Sequence, residues 1–127
     1  MKKIDEKVIY PELSYNIVGM LFNIYNNLGY GYREKHYQKA LEEELIKNNI
    51  PYKKELSSKM DYNNKTIARY FLDFLIEDKI VLEIKVADDF YRSHISQILS
   101  YLKSTGLKLG ILAIFTPEGI KTKRILN

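Results

Sequence analysis

Two short runs constrain the fold of this chain more than anything else in it. Ile80–Val86 is apolar except for Glu83 and Lys85, and Leu109–Phe115 is apolar throughout, flanked by glycine and proline. Both are too short for buried helices and read as buried strands. The segment between them, about Asp89 to Lys103, repeats apolar residues at helical spacing through Ile95, Ile98, Leu99 and Leu102, and Gly106 marks its stop. A strand–helix–strand unit of this kind implies a parallel, right-handed crossover. Such a sheet needs helices over its faces.

The rest of the chain supplies them. Ile17, Leu21, Ile24 and Leu28, widened by Val18, Phe22 and Tyr25, predict a helix over 13–28, with Ser14 as N-cap and Gly29 ending it in a left-handed conformation. A second helix is expected from Tyr32 to Asn48, with Tyr37, Leu41 and Leu45 on its apolar side and Pro51 barring its continuation. Beyond Pro51 the period changes to two. Tyr52–Tyr62 and Thr66–Ile76 read as strands joined by an Asn63-Asn64 turn, and Ile120–Leu126 as a last strand after Thr116–Gly119. The expectation is a single α/β domain over residues 1–127, with a mixed central sheet flanked by helices. An additional N-terminal helix at 13–28 precedes the core at 31–127.

At 127 residues the chain can bury one hydrophobic core. It has no cysteine, which excludes disulfides, thiolate metal sites and a cysteine nucleophile and fits a reducing cytoplasm. No apolar stretch is long enough to span a membrane, and Met1–Lys7 lacks the apolar region of a signal peptide. The net charge of +4 is compatible with a phosphate-rich partner and with much else. Lys53, Lys54, Arg92, Lys121, Lys123 and Arg124 are candidates for steering phosphates, or for keeping the surface solvated.

Acids set inside apolar strands are the chemical signal. Glu83 and Lys85 share one face of their strand, because strand side chains alternate. If Glu77-Asp78-Lys79 forms the hairpin loop, Ile76 pairs with Ile80 and Asp73 falls opposite Glu83, with side chains about 5 Å apart. Two ionised carboxylates at that distance repel by roughly 3 kcal/mol at an effective dielectric near 20. Lys85 offsets part of this, and a divalent cation would offset more. Carboxylates with few histidines form a hard-oxygen site suited to magnesium or manganese. His94, Gln97 and Tyr101 share one face of the third helix.

These residues resemble a known family. An Asp in one strand followed by Glu83-Ile84-Lys85 in the next is similar to the signature of the PD-(D/E)XK nuclease superfamily, whose αβββαβ core has the same element order. Gly31-x-x-Glu34-x-x-Tyr37 resembles the motif of the GxxExxY family within that group. His94-x-x-Gln97-x-x-x-Tyr101-Leu102 and Gly106-Leu107-x-Leu109-Gly110 continue the pattern. Leu72 stands where the superfamily's name has proline.

The resemblance implies metal-dependent hydrolysis of phosphodiester bonds in DNA, with Mg2+ or Mn2+ as cofactor. It makes Glu34, Asp73, Glu83 and Lys85 the catalytic set. Glu34, Asp73, Glu83 and the backbone carbonyl of Ile84 would be metal ligands, and Lys85 would orient the attacking water or stabilise charge on the phosphate. Gln97 and Tyr101, with His94 beside them, would support the site or touch nucleic acid. The alternatives are a catalytically silent nucleic-acid- or protein-binding module on the same fold, and a nuclease directed at RNA or branched structures. A chain of this size leaves little room for a substrate-reading domain, so a homodimer or a partner protein is the expected means of gripping a duplex.

Overall fold

In the computed structural model, which describes residues 9–127, the two apolar runs lie side by side as parallel central strands. The Met1–Lys7 segment lies outside the described residues. In chain order the elements are α1 (Pro11–Leu28), α2 (Glu34–Lys47), β1 (Tyr52–Tyr62), β2 (Lys65–Ile76), β3 (Ile80–Val86), α3 (Arg92–Thr105), β4 (Leu109–Thr116) and β5 (Gly119–Leu126). The sheet has five strands in the order β1-β2-β3-β4-β5. β3 and β4 are parallel, and the β1–β2, β2–β3 and β4–β5 pairs are antiparallel. This is the mixed sheet expected from the sequence.

Alternation along β3 and β4 divides the core in two. Ile80, Leu82, Ile84, Leu109, Ile111, Ala113 and Phe115 meet α1 and α2 through Ile17, Leu21, Tyr37, Leu41 and Leu45. On the other face Val81, Leu112 and Ile114 meet Ile98 and Leu102 of α3. Gly110 lets α3 lie close on β4: a Cβ there would stand 2.3 Å from Ile98 Cγ2. Tyr37 is fully buried, stacks on Phe115 with ring centroids 3.9 Å apart, and donates its hydroxyl to the Gly29 carbonyl at 2.6 Å. That bond fixes the α1–α2 turn above the end of β4. β5 anchors α1, because Arg124 donates to Ser14 Oγ at 2.8 Å and to the Ile9 carbonyl at 2.9 Å.

Several expectations at the helix ends are corrected. α1 begins at Pro11 rather than Leu13, because proline at N1 needs no hydrogen-bond partner for its nitrogen. Ser14 is therefore a buried residue inside the helix and not its N-cap. Gly29 has a positive φ of 74°, but its ψ of −171° is extended rather than left-handed helical. The buried stripe of α1 is Ile17, Met20, Leu21 and Ile24, while Phe22 and Leu28 are exposed. α3 starts at Arg92, three residues later than expected, with Asp88 and Asp89 in the preceding turn accepting from the Tyr91 hydroxyl and the Phe90 N–H. No helix among the described residues is long and apolar enough to cross a membrane.

The tight α3–β4 contact is testable. Gly110→Ala should destabilise the fold by about 1–3 kcal/mol through overpacking against Ile98. Urea unfolding should show a lower midpoint at an unchanged m-value.

Candidate active site

The β2–β3 ladder runs through Ile76↔Ile80, Leu75↔Val81 and Phe74↔Leu82 and then stops. The next position in the same register sets Asp73 against Glu83, as the three-residue loop predicts. Side chains take over there from the backbone. The Asp73 N–H donates to Glu83 Oε1 at 2.9 Å, and the Ile84 N–H donates to Asp73 Oδ2 at 2.7 Å. Each carboxylate thus satisfies an amide of the opposite strand, where a buried N–H would otherwise be stranded. The Ile84 carbonyl lies on the same edge of β3 as that N–H, because both backbone groups of an extended residue point the same way.

Two further side chains fix the pair. Lys85 Nζ lies 3.4 Å from Glu83 Oε2; Glu83 is almost fully buried, while Lys85 keeps a quarter of its surface exposed. Gln38 Nε2 donates to Asp73 Oδ1 at 3.0 Å. Sequence reasoning missed Gln38. Its signal was its position one helical turn after Glu34, since residues four apart share a helix face.

Glu34 is the first residue of α2, and its Oε2 accepts from the N–H of Val86, the last residue of β3, at 3.1 Å. It joins the site through its charge, which reaches Asp73 and His94, and not through a hydrogen bond to the other acids. His94 is half-buried near the start of α3, with Nδ1 buried and without a partner among the described residues. Burial first, then the charge of Lys85, pulls its pKa down, opposed by Glu34, so the imidazole is neutral near pH 7. Gln97 and Tyr101 make no hydrogen bond to the acids among the described residues, and Tyr101 packs on the apolar cluster beneath α3. Of the scattered cations, Lys53 is paired with Asp78, Lys54 with Glu42, and Arg124 is bonded to Ser14 and Ile9.

The electrostatics show under-compensated negative charge. Burial raises Asp73 above its ordinary range, against the opposing effects of the Ile84 N–H and Lys85. Glu83 is pushed up to about 7 by burial first and by the charge of Asp73 second, with Lys85 opposing. Among the described residues no three His, Cys, Asp or Glu side chains form a ready-made metal cage. Two converging carboxylates with an adjacent backbone carbonyl nevertheless fit magnesium, a hard cation commonly held by one or two carboxylates while water and substrate phosphate complete its shell.

This geometry defines a class, a mixed α/β sheet with an Asp/Glu-x-Lys constellation at the open end of a strand pair. The model of the PD-(D/E)XK nuclease superfamily matches residues 11–125. The chain belongs to that superfamily, whose nucleases generally use divalent metals. Among solved structures it is similar to SSO0001, with 25% identity and a TM-score of 0.57 over 74% of this chain and 50% of that one. The chain therefore spans about half the length of SSO0001. An alkaline exonuclease from Laribacter hongkongensis matches at 12% identity and a TM-score of 0.48, over 100% of this chain and 72% of the exonuclease. No curated protein matches the chain.

The raised carboxyl pKa values make stability depend on pH. A carboxyl whose pKa is higher folded than unfolded favours folding below its unfolded pKa, and that contribution is lost as pH rises through the folded value. For Glu83, moved from 4.5 to about 7, this amounts to about 3 kcal/mol lost across that window. The melting temperature in EDTA should fall as pH is raised from 4.5 to about 7. Asp73→Asn should flatten this dependence and stabilise the fold above the window. Asparagine can keep its oxygen on the Ile84 N–H and offer its amide to a flipped Gln38.

Proposed function

We propose that this protein is a divalent-metal-dependent nuclease that hydrolyses phosphodiester bonds in DNA, and that within its superfamily it is a GxxExxY protein. The observation that carries this reading is the convergence of Asp73, Glu83 and Lys85 where the β2–β3 ladder ends, with the half-buried carboxyl of Asp73 and the buried carboxyl of Glu83 both above their ordinary pKa range. Asp73, Glu83 and the Ile84 carbonyl would hold Mg2+ or Mn2+, with Glu34 completing the negative field. Bound there, the cation would lower the pKa of a water and neutralise charge on the leaving oxygen.

The chain's own residues do the rest. Lys85, held at Glu83 but a quarter exposed, orients the attacking water or meets the phosphate charge. Gln38 acts through Asp73, keeping one carboxylate oxygen occupied so that the other lone pairs face the cation. His94, whose ring feels the charges of both Lys85 and Glu34, borders the flank of the site. Gln97 and Tyr101 continue that flank along α3 and support it. Residues 1–127 act as one domain, and a second copy or a partner protein adds grip on long substrates.

The test is cleavage of single-stranded, duplex and branched DNA, and of RNA, with Mg2+, Mn2+ or EDTA. Wild-type protein should cleave DNA only with metal, and Asp73→Ala and Lys85→Ala should each lower the rate by about 10²–10³ or more. Activity surviving both substitutions would sink the mechanism. Absence of cleavage, with no divalent-metal binding by calorimetry, would favour a silent binding module, and preference for RNA would redirect the substrate.

Gln38→Ala should raise the metal concentration for half-maximal activity about 10- to 100-fold, as expected for a residue that positions a ligand. A merely structural role would leave that metal dependence unchanged.

A further inference from the structure

Beyond Asp73 the β1–β2 hairpin leaves the sheet. β2 pairs with β3 only through Phe74–Ile76, yet it stays paired with β1 out to Tyr62↔Lys65. The departing part springs from the end of β3 that carries Glu83 and Lys85, because β2 runs antiparallel to β3. Glu55, opposite Asp73 in the β1–β2 register, has a φ of 56°, so β1 bends where the arm begins. From Leu56 to Tyr62 the arm extends about 20 Å.

Its two faces differ. Directly opposed residues share a face, so Leu56, Ser58 and Met60 lie with Leu72, Tyr70 and Ala68. The base of that face is buried against the α3 side of the core through Leu56, Leu72 and Ser58. The other face pairs Ser57 with Phe71 and Lys59 with Arg69, and all four are exposed. Phe71 is 64% exposed, an unusual position for a phenylalanine two residues from the half-buried Asp73. Lys59 and Arg69 stand directly opposite each other, a like-charge pair that destabilises a ribbon. Neither is ion-paired among the described residues, and neither is Lys65 at the tip. The one acid of the tip, Asp61, is bonded to Thr66.

A ring with an open face and an uncompensated cation pair suit one occupant. We infer that this face of the hairpin is an arm that grips a single-stranded stretch of nucleic acid beside the active site, Phe71 stacking on an unpaired base and Lys59 and Arg69 clasping the backbone phosphate between them. A phosphate there removes the repulsion that the arm otherwise carries. Stacking needs an exposed π-face, which a paired base inside a duplex does not offer. Arg69 lies about 13 Å along β2 from Asp73, so the grip falls close to the carboxylates and not on them. The inference rests on the nuclease reading for its substrate and names the strand state that the site receives.

The experiment measures binding of a labelled single-stranded oligodeoxynucleotide, and of its blunt duplex, in EDTA, where nothing is cleaved. Wild-type protein should prefer the single strand. Phe71→Ala should weaken that binding about tenfold, while Phe71→Tyr, which keeps the ring, should not. Replacing Lys59 and Arg69 together by alanine should lower the slope of log affinity against log salt by about 0.7, the value for one neutralised phosphate on a single strand. With metal added, the loss in these variants should fall on KM rather than kcat.

Variants that bind the single strand as wild type does would overturn the arm, and if wild type cleaves, the nuclease reading stands without it. Stronger wild-type binding to duplex, or an effect of the variants on self-association in sedimentation alone, would also overturn it, the face then serving groove binding or contact between copies. Arm-dependent binding by a protein that cleaves nothing with any metal would support the arm and overturn the nuclease reading.

Discussion

The site depends on an exchange of hydrogen bonds between two strands that stop being neighbours. At Asp73 and Glu83 the β2–β3 ladder ends, and each strand's N–H is taken up by a carboxylate, directly across at Glu83 and one residue along at Ile84. A backbone pair would have served the same donors without charge. Using carboxylates instead concentrates negative charge in a largely buried place, which raises both pKa values against the opposing charge of Lys85 and the bonds from the two amides. The carboxylates close the sheet at the same point where they gather its charge. Truncating either side chain would strand an amide of the opposite strand, whereas an amide of the same shape keeps the acceptor without the charge.

The two helices over one sheet face position what surrounds this pair. α2 starts where β3 ends, so that Glu34 reaches Val86 and, one turn on, Gln38 reaches Asp73. That placement follows from Tyr37, whose ring stacks on Phe115 and whose hydroxyl holds the Gly29 carbonyl. The spacing Glu34–Tyr37–Gln38 therefore divides labour around one turn of helix, with the acid and amide toward the strands' open end and the aromatic ring into the core. From the opposite face α3 contributes His94, so the approach to Lys85 is bordered by elements from both layers.

Strand register was legible in the sequence because it follows from loop length and alternation. Glu77-Asp78-Lys79 places Ile76 against Ile80, and the position of Asp73 against Glu83 then follows by counting. The features that escaped the sequence are those set by the partner surface. Phe22 and Leu28 extend the apolar stripe of α1 on a helical wheel, yet the sheet and α2 bury Ile17, Met20, Leu21 and Ile24 and leave those two exposed. Ser14 has the chemistry of a cap, but Pro11 starts the helix earlier and Arg124 of β5 claims the hydroxyl. Gln38 gave no signal by type, since a glutamine on a helix is ordinarily solvated, and only the proximity of α2 to β2 gives it a role.

The hairpin that carries Phe71 has a consequence for how such a chain can change over evolutionary time. Its outer residues, from Lys59 to Arg69, are exposed apart from the half-buried Ala68 and are held by their own cross-strand bonds. Adding or deleting matched pairs of residues at the Asn63-Asn64 tip would lengthen or shorten the arm and leave the register at Asp73 untouched. An unmatched insertion is absorbed as a bulge, and one such irregularity already lies between Met60 and Asp61. The reach of the hairpin is thus free to drift while the geometry of the carboxylates at its root stays fixed.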